Sequence, residues 1–296
     1  MFTDTEHVTP KGHTTATLCR PDVVARCVFT QLHWAEFEAT VEIESKGKKL
    51  KDRMGQGATY TSFLLQARPD LNSVLGLYVD KAGLVFMISD AEGVKQTDMV
   101  SWKDLDSAKL LQAFITRLYS PHDTMVDPTV ERVQGNPGSF NVKLALQGGG
   151  ETTCFGYPHC ISHAAFGRRT TIFIEKDSPT KIDGKPIHVI KEQYREPNHR
   201  FDEPMIINHI HRDGPFPGVI QLVHYEDVKD SKGTEISSGT RNKVRLTEKD
   251  WGTPFMDIKT PREALLICYD LLESESAMCC FLYISDHLIS YTLPIH

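Results

Sequence analysis

The stretch from Asp183 to Ile210 constrains the fold of this chain more than any other. A turn composition at Asp183-Gly184 leads into a short β-branched run, Ile187-His188-Val189-Ile190, that ends in Lys191. Glu203 then stands just before an apolar string, Met205, Ile206, Ile207 and Ile210, which is spaced for one side of a helix. The result is a strand lysine followed by a helix acid. The same letters fit an edge lysine and an unrelated acid at a helix start, so the surrounding chain has to decide between them.

Length and charge narrow the classes. The 296 residues have room for one large or two ordinary domains, and 40% hydrophobic with 24% charged is the mix of a soluble globular protein. With 33 basic against 39 acidic side chains, no sequence-wide field draws the chain to nucleic acid or to an anionic membrane, and neither is expected as a partner. The first twenty residues carry Asp4, Glu6, His7, Lys11 and Arg20 and no apolar core, so neither a secretory signal nor an anchor is expected there. The uncharged run Ala277 to Ser285 is far below the roughly 20 residues that a membrane helix needs. An intracellular, cytoplasmic protein is the expectation. The seven scattered cysteines then read as reduced thiols.

In chain order, residues 1–33 are polar and interrupted by Pro10 and Pro21, the pattern of a loosely ordered lead-in. From Trp34 the pattern changes. Phe37, Ala39, Val41 and Ile43 alternate with Glu38, Thr40, Glu42 and Glu44, which predicts a half-buried strand closed by a lysine-rich turn over Lys46 to Arg53. Thr59 to Ala67 is a short helix stopped before Arg68-Pro69. Val74–Val79 and Leu84–Ser89 flank Asp80-Lys81-Ala82-Gly83 as a hairpin. Leu111, Phe114, Ile115 and Leu118 form the apolar stripe of a helix that begins near Asp104 and Asp106 and is over by Pro121. Residues 133–151, with Gly148-Gly149-Gly150, are the expected joint between domains. No Lys-Ser/Thr follows those glycines, which argues against a phosphate cradle.

Beyond the joint, Phe166 to Ile174 reads as a turn and a strand, Pro217 to Val223 as another strand, Lys229 to Asn242 as a loop, and Val244 to Thr247 as a strand. A helix opens at Thr260-Pro261-Arg262-Glu263, with a cap, a first-turn proline and a reciprocating acid, and buries Ala264, Ile267, Cys268, Leu271 and Leu272. This order of pieces resembles the fungal-type protein kinases from about Trp34 to Leu272. The motifs that carry the likeness are Trp34-Ala35-Glu36 with Val41-Glu42-Ile43-Glu44, Asp90 to Val94, Asp127-Pro128, and Gly167-Arg168 with Thr170. They continue in Val189-Ile190-Lys191, Glu203, Pro217-Gly218-Val219, Gly252 with Pro254, and Tyr269-Asp270-Leu271-Leu272.

The resemblance implies a small lobe that binds ATP with magnesium. Gly167 would sit in the nucleotide lid, Lys191 on the α and β phosphates, Glu203 beside it as its partner, and Gly252 after the hinge that holds adenine. Arg169 stands where the family has a second lid glycine, the residue type that lets backbone approach a phosphate. His211-Arg212-Asp213 spells the catalytic-loop triplet, yet the position five residues after its aspartate is Gly218 and not asparagine. Asp250-Trp251-Gly252 imitates the metal-binding triplet and falls at the hinge. With no catalytic loop after Leu272, the expectation is an inactive fragment or pseudokinase with no catalytic residue of its own.

Other chemistries compete. Cys154, His159, Cys160 and His163 lie within ten residues but do not match a closed zinc pattern, so no metal site is assigned. Glu44-Ser45-Lys46 at a strand end could belong to a nuclease-type metal site, or simply to a charged turn. A non-catalytic binding or scaffold module with an unknown protein partner is the further alternative. The expected fold is α+β: an N-terminal mixed α/β domain over 34–132, the joint over 133–151, and an incomplete kinase-like small lobe of antiparallel sheet plus helix, with the hinge, over 152–273. An apolar tail over 274–296 completes the chain.

Overall fold

The computed structural model describes residues 2–5, 8–13, 19–26, 32–43, 50–146, 148–161, 165–175, 180–198, 202–216, 219–249, 259–262 and 265. It is an α+β protein built on two successive sheets. The first contains β1 (Phe2–Asp4), β2 (Val23–Arg26), β3 (Phe37–Ile43), β4 (Val74–Val79), β5 (Gly83–Asp90), β6 (Gly93–Gln96) and β7 (Val100–Ser101). Its spatial order is β1-β2-β3-β4-β5-β6, with β7 beside β5. Only β3 and β4 pair in parallel, and a parallel pair needs a crossover, which α1 (Leu50–Ala67) supplies.

Helices cover both faces of this sheet. Tyr60, Leu64 and Leu65 of α1 pack with Val24, Phe37 and Val74. Phe114 of α2 (Asp106–Tyr119), with Leu111, Ile115 and Leu118, packs with Ala25, Ala39, Val41, Leu77 and Leu84 on the other face. This corrects the half-buried reading of β3. Thr40 and Glu42 are buried, and Glu42 accepts a hydrogen bond from Gln56 of α1 at 3.0 Å. The approach of α1 is close enough that a Cβ on Gly76 would lie 2.2 Å from Thr61 Cγ2.

Two further expectations are corrected here. Residues 2–4 and 23–26 of the supposed lead-in are strands, and Val24 is fully buried. Helix α1 reaches back to Leu50, into the expected lysine-rich turn, and ends at Ala67 as proline at 69 requires.

The second sheet is antiparallel throughout. Its strands are β8 (Val130–Arg132), β9 (Phe140–Ala145), β10 (Glu151–Ile161), β11 (Thr171–Ile174), β14 (Val189–Arg195), β15 (Leu222–Asp227), β16 (Ser237–Ser238) and β17 (Arg241–Glu248). A small separate hairpin, β12 (Lys181–Ile182) with β13 (Lys185–Pro186), precedes β14. The order is β15-β17-β14-β11-β10-β9-β8, with β16 beside β17. Helix α3 (Glu203–Ile210) lies between β14 and β15 in the chain. The strand expected over 217–223 begins at Leu222 and continues through His224 and Tyr225 to Asp227.

The expected joint over 133–151 therefore holds β9, whose Phe140, Val142 and Leu144 are fully buried in the core of the second sheet. Gly148, Gly149 and Gly150 all have positive φ and form the turn from β9 to β10, a conformation that glycine adopts at no steric cost. The two sheets are joined by polar contacts as well as by chain. Asp127 N–H donates to Asp70 C=O at 2.9 Å, Tyr194 Oη donates to Asn72 at 3.3 Å, and Arg132 pairs with Glu38 at 2.8 Å. No helix among the described residues is long and apolar enough to cross a membrane.

Candidate functional site

Strand β14 runs between β11 and β17, with Lys191 opposite Ile172 on one side and Leu246 on the other. The pleat sends Lys191, Gln193 and Arg195 to one face and Ile190, Glu192 and Tyr194 to the other. Helix α3 begins at the first of these faces. Asp202 is its N-cap, accepting a hydrogen bond from Met205 N–H at 2.8 Å, and Pro204 occupies the first turn, where no amide donor is needed.

The three outward residues of β14 all grip the start of this helix. Lys191 Nζ donates to both carboxylate oxygens of Glu203, at 2.6 and 2.7 Å. Gln193 Nε2 donates to Glu203 Oε2 at 3.3 Å, and Arg195 forms an ion pair with Asp202. The Arg195 guanidinium also sits 5.6 Å from the centre of the Tyr225 ring. The Lys191 and Glu203 side chains keep 21% and 33% of their surface in solvent. A pair this open contributes no more than about 1 kcal/mol to folding.

A cleft of about 300 Å³ opens next to this grip, lined by Gly167, Arg168, Gln193, Arg195, Asp202 and Glu203 among others. Of the expected site residues, Gly167 and Glu203 line this cleft, and Lys191 is bonded to Glu203. Gly252 and the Asp250-Trp251-Gly252 triplet lie outside the described residues, as does Glu44-Ser45-Lys46.

The turn between β10 and β11 is held from two sides. Tyr194 N–H donates to Arg168 C=O at 2.7 Å, and Gly167 N–H donates to Ala91 C=O of the first sheet unit at 2.7 Å. Gly167 and Arg169 have φ of +79° and +42°. Arg169 is buried, and its Nη2 donates to the carbonyls of Leu65 and Arg68 at the end of α1, at 2.6 and 2.8 Å. These carbonyls are left over where a helix stops, and a cation satisfies them.

His211 belongs to the helix end. Its Nδ1 accepts from Phe216 N–H at 3.0 Å, so Nε2 carries the proton and donates to Ile220 C=O at 2.8 Å. Arg212 and Asp213 are exposed and pair with each other at 3.3 Å. Cys154 is buried, which pushes its thiol up to about 11. No cluster of three metal-ligating side chains occurs among the described residues.

Sequence reasoning missed the polar interior on the opposite face of β14. Glu192 pairs there with Arg245 and with Lys243, the latter at 3.2 Å, and Lys243 pairs in turn with Asp127. Arg245 also reaches Glu226 at 2.7 Å. Burial alone would raise the Asp127 carboxyl, but the charges of Lys243 and Arg245 hold it below the usual range. Burial would likewise lower Arg245, and Glu192, Asp127 and Glu226 keep it raised. The available signal was the alternation of Lys243 and Arg245 with Val244 and Leu246 in one strand. No family model, curated protein or solved structure matches the chain.

Proposed function

We propose that the second sheet with α3 is a protein-kinase-like small lobe of the fungal-type family, and that it binds the phosphates of ATP at Lys191. The observation that carries this reading is the two-point contact of Lys191 with Glu203, a strand lysine fixed by a helix acid. Kinases use such a pair to place an ammonium on the α and β phosphates. The order of elements supports it: a hairpin, β10 and β11, comes before the lysine strand, and α3 and the strands β15 and β17 come after it.

The cleft offers the guanidiniums of Arg168, Arg195 and Arg241 and a glycine turn to the phosphate end of a nucleotide, beside the carboxylates of Glu196, Asp202 and Glu203, and the Lys191 ammonium is bonded to the last of these. The magnesium that accompanies ATP would neutralise phosphate charge. No cluster of three metal-ligating side chains occurs among the described residues, and no residue is assigned to it here. Lys191 attracts and orients the phosphates, Glu203 keeps the ammonium aimed, and Gln193 steadies the carboxylate.

On this reading the 296-residue chain by itself binds nucleotide without transferring phosphate. His211 is bonded within the helix-end turn, and Gly218 stands where a catalytic loop needs asparagine. The test is a titration of the purified chain with a fluorescent ATP analogue, beside Lys191→Met and Glu203→Gln. We expect each variant to bind at least about tenfold more weakly, because each removes a charge-assisted contact. Labelled ATP and a generic protein substrate should give the same background with wild type and Lys191→Met. Equal nucleotide affinity in all three proteins would overturn the assignment.

A further inference from the structure

The turn that would serve as nucleotide lid is bonded to the first sheet unit through both backbone and side chain. A lid acts on phosphate through free backbone N–H groups and through its freedom to close. Gly167 and Arg168 of this turn line the cleft, and the Gly167 N–H is already donated to Ala91 C=O at 2.7 Å. Two positions on, Arg169 turns its side chain away from the cleft into the carbonyl end of α1. It does so from a left-handed backbone, φ +42°, which a residue with a Cβ adopts at a cost.

The seat of Arg169 is also imperfect. Nη1 is buried without a hydrogen-bond partner. A docked arrangement that includes strain and an unmet donor is one that a competing ligand can displace.

We infer that the first sheet unit is an autoinhibitory clamp on the nucleotide lid, with Arg169 as its latch. This rests on the reading of the cleft as a nucleotide site. Phosphate entering the cleft competes with Ala91 C=O for the Gly167 N–H, and lid closure draws Arg169 out of the end of α1. By linkage, whatever loosens the latch tightens nucleotide binding, and nucleotide binding loosens the last turn of α1.

The experiment uses the full chain and a non-hydrolysable ATP analogue. Arg169→Ala is expected to bind the analogue about tenfold more tightly than wild type, since the ligand no longer has to displace the latch. Amide exchange over residues 62–70 should rise in Arg169→Ala, and should rise in wild type on adding the analogue, because the carbonyl cap of α1 is lost in both cases. Wild-type binding with no tightening in Arg169→Ala overturns the clamp and leaves the nucleotide site standing. Absence of binding in both proteins overturns the nucleotide site, and the clamp with it. If Arg169→Ala does not fold, the wild-type exchange decides: unchanged protection over 62–70 at saturating analogue overturns the clamp.

Discussion

Lys243 of β17 forms an ion pair with Asp127, 116 positions earlier in the chain, and both residues are closed to solvent. Lys243 also donates to Pro69 C=O at 3.3 Å, so one ammonium joins the second sheet, the segment before β8 and the segment after α1. Removing one partner of a buried pair leaves an uncompensated charge. Asp127→Asn and Lys243→Met should each cost about 3–5 kcal/mol, and the two combined should cost less than the sum. Urea midpoints of the three variants measure this.

Acid should act on the same pair. The Asp127 carboxyl is held below its ordinary range in the folded chain, so the unfolded chain takes up the proton first. Its contribution is complete above about pH 4 and is lost as pH falls through the lower folded value. Acid unfolding monitored by tryptophan fluorescence should therefore steepen below pH 4, and Asp127→Asn should remove part of that steepening.

His13 should set a second and milder window. It is buried against Phe63 and Trp34, with ring centres 5.0 and 5.8 Å away, and bonds to Gln66 Oε1 at 3.1 Å. Burial lowers its pKa to about 4, against the opposing effect of the Gln66 bond. The unfolded histidine protonates near pH 6.5, so stability falls between pH 6.5 and 4, by about 3 kcal/mol in total. His13→Gln should flatten the stability profile across that interval while leaving the steeper region below pH 4 in place.

Asp202 has two tasks, capping α3 through Met205 N–H and pairing with Arg195. Asp202→Ala should destabilise the chain by about 1–2 kcal/mol and should raise amide exchange in residues 203–210 more than in β14. Asp202→Asn keeps the cap and should retain most of the protection in α3. Equal exchange in the alanine and asparagine variants would show that the cap does not hold the helix.

Cys154 should be inert in the folded state. A thiol pushed up to about 11 and buried between strands presents almost no thiolate at neutral pH. Alkylation mapped by mass spectrometry should leave Cys154 unlabelled in native protein and label it fully in urea. Zinc addition should leave that protection unchanged.

Elements with a clean period or a strong turn were legible in the residues. The β4–β5 hairpin has apolar runs on either side of Asp80-Lys81-Ala82-Gly83, and α2 carries an unbroken stripe from Leu111 to Leu118. The partnership of Lys191 and Glu203 was legible because each sits at a marked end, one of a β-branched run and the other of a capped helix. β2 was hidden because Val23-Val24-Ala25 is too short to show a period. The first turns of α1, Leu50 to Gln56, are polar and contain Gly55, so local propensity did not reveal what packing against β3 and β4 stabilises. β9 was masked by the glycines on either side of it. Lys243 and Arg245 alternate with Val244 and Leu246 in β17, yet they are buried because Asp127, Glu192 and Glu226 meet them there from elsewhere in the chain. Such long-range compensation has no local signature.

The polar interior has one more effect, at the margin of the second sheet. β9 extends past its short partner β8, and a strand end of that kind normally offers open backbone groups to any passing chain. Here Glu226 of the outermost strand β15 accepts the Ala145 N–H at 2.8 Å, and Arg245 donates to the Lys143 C=O at 2.7 Å. Side chains from one margin of the sheet thus occupy the backbone of the opposite margin. The sheet is drawn round on itself, and the Ala145 N–H and Lys143 C=O of β9 are closed to an intermolecular ladder.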